Sequence, residues 1–396
     1  LEPILDEVLI NLDTVNGGYK GAPKFPMFNV FETFLYFFNK SKKQKYLEPV
    51  SLILKKICSE GIYDHVEGGI ARYTVDENWL VPHFEKMLYD NAQFISILSK
   101  YAKVNKNNYF RDKIVHTINF VSKNFINKER GLLGSAFDAD SDGQEGKYYI
   151  FNYEEIKNIP EINRYFDVNP KGNWEGKIIL REISPPNKDT ITALSKLRIK
   201  KTKPFFDNKT QLDLNCLWIS ALTSAHSVMP SERYLDQAES LFNKLEKTFN
   251  NTSLYHCNSK SLVFLEDYAY FINCLLDLHD QTLNQEYKLK ANFFCNEVVK
   301  KFYIKEKNIF QKNQMSQNDI FCKPIDVSDH TIPNGNAIML TNFTRLGLMK
   351  EAEVLSKSLN GYLNVYKSFM LSSLRAIDFF NEIMSGKKCD EKGCKT

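Results

Sequence analysis

The sequence predicts an all-α fold, an (α/α)6 toroid in which six helical hairpins close into a ring, with a short β-containing insertion. Three observations predict it. Segments with apolar residues at three- and four-residue spacing recur along the whole chain. They follow one another in consecutive pairs. After many pairs comes a turn and then a short aromatic or β-branched run. The intervals are irregular, but of the order that marks an array of helical hairpins.

Taken in order, the periodicity predicts helices at 1–13, 27–39, 46–60, 84–103, 108–127, 211–229, 231–249, 265–282, 284–301, 333–347, 348–361 and 368–384. The turn-and-run signal stands at Gly17-Gly18-Tyr19, Gly61-Ile62-Tyr63, Gly131-Leu132-Leu133, Asn251 to Tyr255 and Asn308-Ile309-Phe310. Six hairpins can form an inner barrel of six helices and an outer ring of six, with connecting loops gathered at one mouth. Residues 131–205 break the pattern with strand-like pieces, Lys147 to Phe151 and Lys177 to Leu180, and a Pro185-Pro186 break. So long a stretch without a long helix reads as an insertion over the mouth. The expected organisation is a barrel over 1–386 with 131–205 inserted, then a polar tail over 387–396.

Composition narrows the function. The 396 residues are 43% hydrophobic and 13% aromatic, enough for a large core. With 52 basic and 48 acidic residues the net charge is only +4, which argues against a nucleic-acid partner. The chain has no apolar run of about 18 residues, so no membrane span is expected. It begins with Leu1 rather than Met, which suggests an upstream segment. Of the eight cysteines, six stand alone, as reduced thiols do in a cytoplasmic protein. Cys389 and Cys394 form a pair in the polar tail, too few ligands for a closed zinc site.

Residues 61–93, GIYDHVEGGIARYTVDENWLVPHFEKMLYDNAQ, are the densest in chemistry. A Gly-rich turn leads through a strand-like run into a helix expected to start near Pro82. It gathers Arg72, Tyr73, Trp79, His83, Glu85 and Asn91. Rings beside carboxylates, an imidazole and a guanidinium suit a polar ring such as a sugar. The plainer reading makes Trp79 and the tyrosines core and the charges a solvated rim.

Asp138, Asp140, Asp142 and Glu145 form a second group. The spacing looks like the start of a calcium loop, but Tyr149 stands where the twelfth-position Glu should be. Metal is therefore not expected. Catalytic carboxylates or a solvated turn remain, and the like charges are expected to raise one carboxyl pKa. Asp267 stands at a helix start, where it either serves a site or favours the helix dipole. His330 is a candidate second imidazole at the mouth. His116, His226, His256 and His279 read as structural or exposed.

These motifs resemble the YyaL-like family that includes spermatogenesis-associated protein 20. The stretches that carry the resemblance are Gly17 to Pro26, the whole of 61–93, Phe137-Asp138-Ala139-Asp140-Ser141 with Glu145-Gly146, Gly172-Asn173-Trp174-Glu175-Gly176, Phe264 to Ala269, and Asp329 with Pro333-Asn334-Gly335-Asn336. The resemblance implies an (α/α)6 barrel similar to N-acylglucosamine 2-epimerases and six-hairpin glycosidases. It also implies a thioredoxin-like domain, absent from this chain and expected before Leu1. Three motif positions depart from the family pattern: Leu212-Asp213-Leu214-Asn215-Cys216 lacks a Trp, Ala71 replaces a His before Arg72-Tyr73, and Asn334 replaces a Ser.

The expectation is a carbohydrate-active barrel, a glycoside hydrolase or sugar epimerase, with no cofactor. Asp138, Asp140, Asp267 and His83 are the expected acid–base residues. Arg72, Tyr73, Trp79, Glu85, Asn91, Glu145, Trp174, Asn215, His330 and Asn336 are expected to bind substrate. Hydrolysis would pair Asp138 or Asp140 with Asp267; epimerisation would pair His83 with His330. The alternative is a non-catalytic carbohydrate-binding or regulatory module.

Overall fold

The computed structural model describes residues 2–249, 254–257, 262–316 and 324–386, with the backbone of 389–390 and 393–394. The expected turn at Asn251 and the side chains of Cys322, Cys389 and Cys394 lie outside the described residues.

The α-helices are α1 (Glu2–Ile10), α2 (Phe28–Ser41), α3 (Gln44–Ser59), α4 (Leu88–Val104), α5 (Asn108–Asn124), α6 (Tyr153–Ile156), α7 (Ile162–Tyr165), α8 (Lys188–Arg198), α9 (Leu212–His226), α10 (Tyr234–Phe249), α11 (Leu265–Thr282), α12 (Gln285–Phe302), α13 (Gly335–Leu346), α14 (Met349–Tyr366) and α15 (Leu371–Met384). Each of the twelve expected helices has its counterpart; α6 to α8 lie in the 131–205 stretch. Helices α2, α4, α9, α11, α13 and α15 pack each against the next, and α15 returns to α2. The inner ring is closed. Helices α3, α5, α10, α12 and α14 pack outside it, and α1 lies against the 3₁₀ turn Lys367–Met370.

Side-chain distribution explains which helix goes where. α11 buries Leu265, Asp267 to Ile272, Cys274 to Leu276 and Leu278, so apolar residues occupy every face. A helix buried all round belongs between neighbours. α10 buries only Tyr234, Ala238, Leu241, Phe242, Leu245 and Phe249, a single stripe, and sits outside.

The two ends of the barrel differ. Inner helices pass to outer ones through short links such as 42–43, 283–284 and 347–348. Outer helices return to inner ones through β-hairpins or bridges: Leu12 with Tyr19, Tyr63 with Ile70, Ile126–Asn127 with Leu132–Leu133, and Tyr303–Ile304 with Ile309–Phe310. The aromatic runs read from the sequence are these hairpins, and they stand at the N-terminal ends of the inner helices.

Two expectations need correction. The helix expected from Pro82 or 84 begins at Leu88. Pro82–His83 pairs with Tyr73–Thr74, and Lys86–Met87 pairs with Ala136–Phe137. Backbone engaged in those ladders cannot also make helical bonds, so His83 shares no helix face with Lys86. The strand expected over Lys147 to Phe151 is a turn followed by one bridge, Phe151 to Ile178. Ala136–Phe137 also pairs with Phe206–Asp207, so the chain leaves and re-enters the barrel at adjacent strands. Between them, Phe151, Ile156, Phe166, Ile178 and Leu194 form a small core of their own with Val66.

Candidate active site

The 61–93 loop places its side chains in two settings. On the surface, Tyr73 stacks between Phe25 and His83, at ring-centroid distances of 4.6 and 4.9 Å. His83 Nδ1 meets Glu145 Oε1 at 2.7 Å, and Arg72 holds Glu85 at 3.0 Å. Asp138 and Asp140 are exposed nearby, because the 140–141 strand pairs with 144–145. Arg72, Tyr73, His83, Glu85, Glu145, Asp138 and Asp140 thus stand on one rim. Asp138 Oδ1 accepts the Asp140 N–H at 3.2 Å, and Asp142 pairs with Lys147 at 3.1 Å. That hydrogen bond lowers the Asp142 pKa, against the expectation of a raised one in this group.

The raised carboxyls stand instead at the first turns of the inner helices. Asp90 on α4 is buried among apolar groups, which holds its carboxyl far above the usual range despite Arg72. Its Oδ2 has no partner. Glu266 on α11 is also raised, first by burial, and its Oε2 is unpartnered. Asp213 on α9 is pushed up to about 7 by burial and the charge of Asp267, against the pull of His256.

Asp213, His256 and Asp267 form one cluster, their donor atoms all within 4.8 Å of one another. His256 Nδ1 meets Asp267 Oδ1 at 2.9 Å and Asp213 Oδ1 at 3.9 Å. Asp267 is fully buried, and its Oδ2 accepts the Phe264 N–H at 2.8 Å. Both its oxygens are engaged, so it orients the imidazole and caps α11 rather than meeting a ligand. The His256 carbonyl accepts the Leu212 N–H at 2.9 Å, which fixes the ring beside α9. Burial opposes charge on His256, but Asp267 and Asp213 together raise it to about 9. Gln211 Nε2 lies 2.8 Å from His256 Nε2, a contact that suits a neutral ring. Two carboxylates outweigh one amide dipole, and a turned amide would offer its oxygen, so the cation is favoured. Ser135 Oγ lies 2.9 Å from the other end of the Gln211 amide, and the Ser135 carbonyl accepts from Leu88 N–H. A continuous path therefore runs from the first residue of α4 to the cluster.

The sequence reading did not single out Asp213 as a site residue, and it placed His256 among the structural or exposed histidines. Asp213 lay within a departed motif, and a lone His carried no spacing signal.

Other expected binding residues have different work. Trp79 is fully buried with φ +65°, and its Nε1–H donates to the Asn16 carbonyl at 2.9 Å. It shows a ligand no face. Trp174 packs against Phe84 at 5.8 Å. His330 is 67% exposed and meets Asp326 at 3.3 Å; the structure does not pair it with His83. Asn91, Asn215 and Asn336 are fully buried clamps. Each accepts one backbone N–H and donates to the same residue's carbonyl: Ile70 for Asn91, Leu133 for Asn215, Phe310 for Asn336. The repeat ties three hairpins to the inner helices that follow them. Asn215→Ala should cost about 2–3 kcal/mol, because buried backbone groups lose their partners. Denaturant unfolding checks this, and an unchanged midpoint would refute the clamp.

No protein-family model matches the chain. An uncharacterised Caenorhabditis elegans protein is 26% identical over 408 residues, 87% of this chain and 55% of that protein. Spermatogenesis-associated protein 20 of Rattus norvegicus is 27% identical over 336 residues, 68% of this chain and 42% of that protein. The human protein of that name is 26% identical over the same length. The chain spans about half the length of these curated relatives. Among solved structures, the cellobiose 2-epimerase of Bacillus thermoamylovorans superposes with a TM-score of 0.61 at 13% identity, covering 96% of this chain and 95% of that one. A D-mannose isomerase gives 0.60 at 12% identity, covering 97% of each chain. A GH76A alpha-1,6-mannanase from a Salegentibacter species gives 0.52 at 11% identity, covering 96% and 97%.

Proposed function

We infer a function from two findings, sequence similarity to spermatogenesis-associated protein 20 and a fold shared with sugar epimerases, isomerases and glycoside hydrolases. We propose that this chain acts on a sugar or sugar-like ligand by proton transfer at the hairpin end of the barrel. Asp213 and His256 are the acid–base pair, Asp267 positions the imidazole, and the rim of Arg72, Tyr73, His83 and Glu145 holds hydroxyls. The observation that carries this reading is the Asp213–His256–Asp267 cluster at the helix N-termini.

The protonation pattern suits the task. Near neutral pH, Asp213 is poised to take a proton while His256 holds one to give. Such a pair can remove a proton beside a carbonyl and return it, the step of an epimerase or isomerase. Glycoside hydrolysis needs two carboxyl groups flanking the bond, about 5 or about 6.5–9.5 Å apart. Asp267 is fully buried and cannot supply the second, which disfavours the Asp138 or Asp140 pairing with it. No described helix is long and apolar enough to cross a membrane.

The test is a panel of mono- and disaccharides incubated in deuterated water and followed by proton NMR. Loss of a C–H signal beside the carbonyl, absent in Asp213→Asn and His256→Gln, is the expected result. Saccharide binding without exchange or turnover would make the barrel a binding module. Neither binding nor exchange would sink the proposal.

A further inference from the structure

A cavity of about 470 Å³ runs along the barrel axis, lined by all six inner helices. Its lining descends from Phe28, Gln93 and Tyr270 in the early turns to Lys103, Ser224 and Arg345 in the last. Phe28 and Tyr270 are only 4% and 3% exposed, and Tyr270 OH donates to the Pro333 carbonyl at 2.7 Å. These residues stopper the lumen toward the hairpins. At the far end Lys100 is 46% exposed and Asp280 58%. The cavity thus opens among the short links, at the end away from Asp213 and His256.

Its walls are divided by charge. On the half formed by α15, α2 and α4, one carboxylate serves two cations: Glu32 pairs with Lys100, and with Arg375 at 3.0 Å. Burial opposes ionisation of Glu32, but Arg375 and Lys100 together hold it at about 2, so it stays charged. The lining there sets two cations, Lys100 and Arg375, against one carboxylate, Glu32. On the half formed by α9, α11 and α13, Arg345 lies between Asp277 and Asp280, at 2.8 Å from each. Asn273 donates to Asp277 at 2.8 Å, and Ser220, Ser224 and Thr341 complete that side. This wall is rich in acceptors and hydroxyls.

We propose that the lumen is a second binding site, for a small polyhydroxy anion entering from the short-link end. The anionic head, phosphate or carboxylate, lies against Lys100 and Arg375, where a guanidinium fork and an ammonium suit it. The hydroxyls lie against Asp277, Asn273 and the serines. The site stands independently of proton transfer at the hairpin end.

Isothermal titration with glucose 6-phosphate, gluconate, glucose and inorganic phosphate tests it. Glucose 6-phosphate or gluconate should bind more tightly than glucose, and which of the two is tighter tells phosphate from carboxylate. Lys100→Gln should weaken that binding about tenfold or more through loss of a charged contact. Ser224→Leu, which fills the cavity without touching an ion pair, should also weaken it, with the melting temperature of each variant confirming the fold. Asp213→Asn should leave it unchanged. The proposal falls if neither anion binds the intact protein, if glucose binds as well as they do, or if both lumen variants bind normally.

Discussion

Asp64→Ala is expected to destabilise the protein by about 3–5 kcal/mol, the cost of leaving buried charge uncompensated. Asp64 is 8% exposed and holds Lys86 Nζ at 2.8 Å and Arg198 Nη1 at 2.5 Å. Lys86 also donates to the Gly68 carbonyl at 2.9 Å and sits over the Phe120 ring at 4.0 Å. Arg198 Nη2 donates to the Tyr149 carbonyl at 2.9 Å. One carboxylate therefore joins the 61–93 loop, its Lys86–Met87 strand and the end of α8. Burial lowers the Lys86 pKa, and Asp64 opposes that more than Glu67 does, so the alanine variant should shed the Lys86 proton more readily. Arg198→Met should cost less, since the Asp64–Lys86 pair survives, but should loosen residues 131–205 first. Burial opposes ionisation of Asp64, while Arg198 and Lys86 hold its carboxyl far below the ordinary range. Its contribution is therefore present above the unfolded value of about 3.9 and lost as pH falls below it. Urea unfolding at pH 7 and at low pH measures both effects, and an Asp64→Ala midpoint equal to the parent's would refute the account.

His256→Gln is expected to lower turnover on an identified sugar by about 10²–10⁴-fold, the usual worth of general acid–base assistance. The amide keeps the ring's approximate volume and a donor toward Asp267, so folding should survive. The pH profile is the sharper measurement. With Asp213 raised to about 7 and His256 to about 9, activity should rise through the first value and fall through the second. Groups this close titrate as a pair, so the two limbs belong to the pair rather than to either residue alone. Stability follows its own rule. Both folded values are raised, so the stabilisation from His256 is complete below about 6.5 and is lost as pH rises through about 9. That from Asp213 is complete below about 3.9 and fades through about 7. A flat activity profile between pH 6 and 10 would remove both residues from the proposed chemistry.

The ring itself was legible in the sequence. Periodicity sees which face of a helix is apolar, and apolar faces on twelve segments leave few ways to bury them all. The all-round burial of α11 and the single stripe of α10 are written in their residues. The polar rim of Arg72, Tyr73, His83 and Glu145 was also legible, since polar groups crowded into a Gly-bounded loop have little structural use. What periodicity cannot see is a partner distant in the chain. It read Pro82 to Met87 as helix because the strands that claim that backbone are elsewhere, at Tyr73 and Phe137. It read Asn91, Asn215 and Asn336 as ligand contacts because a buried amide and an exposed one are the same letter. It passed over His256 because only the closed ring brings Asp213 and Asp267 to either side of it. Local sequence determined the helices, their pairing and the polar rim, since these depend on neighbours within a few turns. The tertiary structure alone decided which polar groups are buried, and burial sets both the cost of a charge and the pKa that chemistry uses.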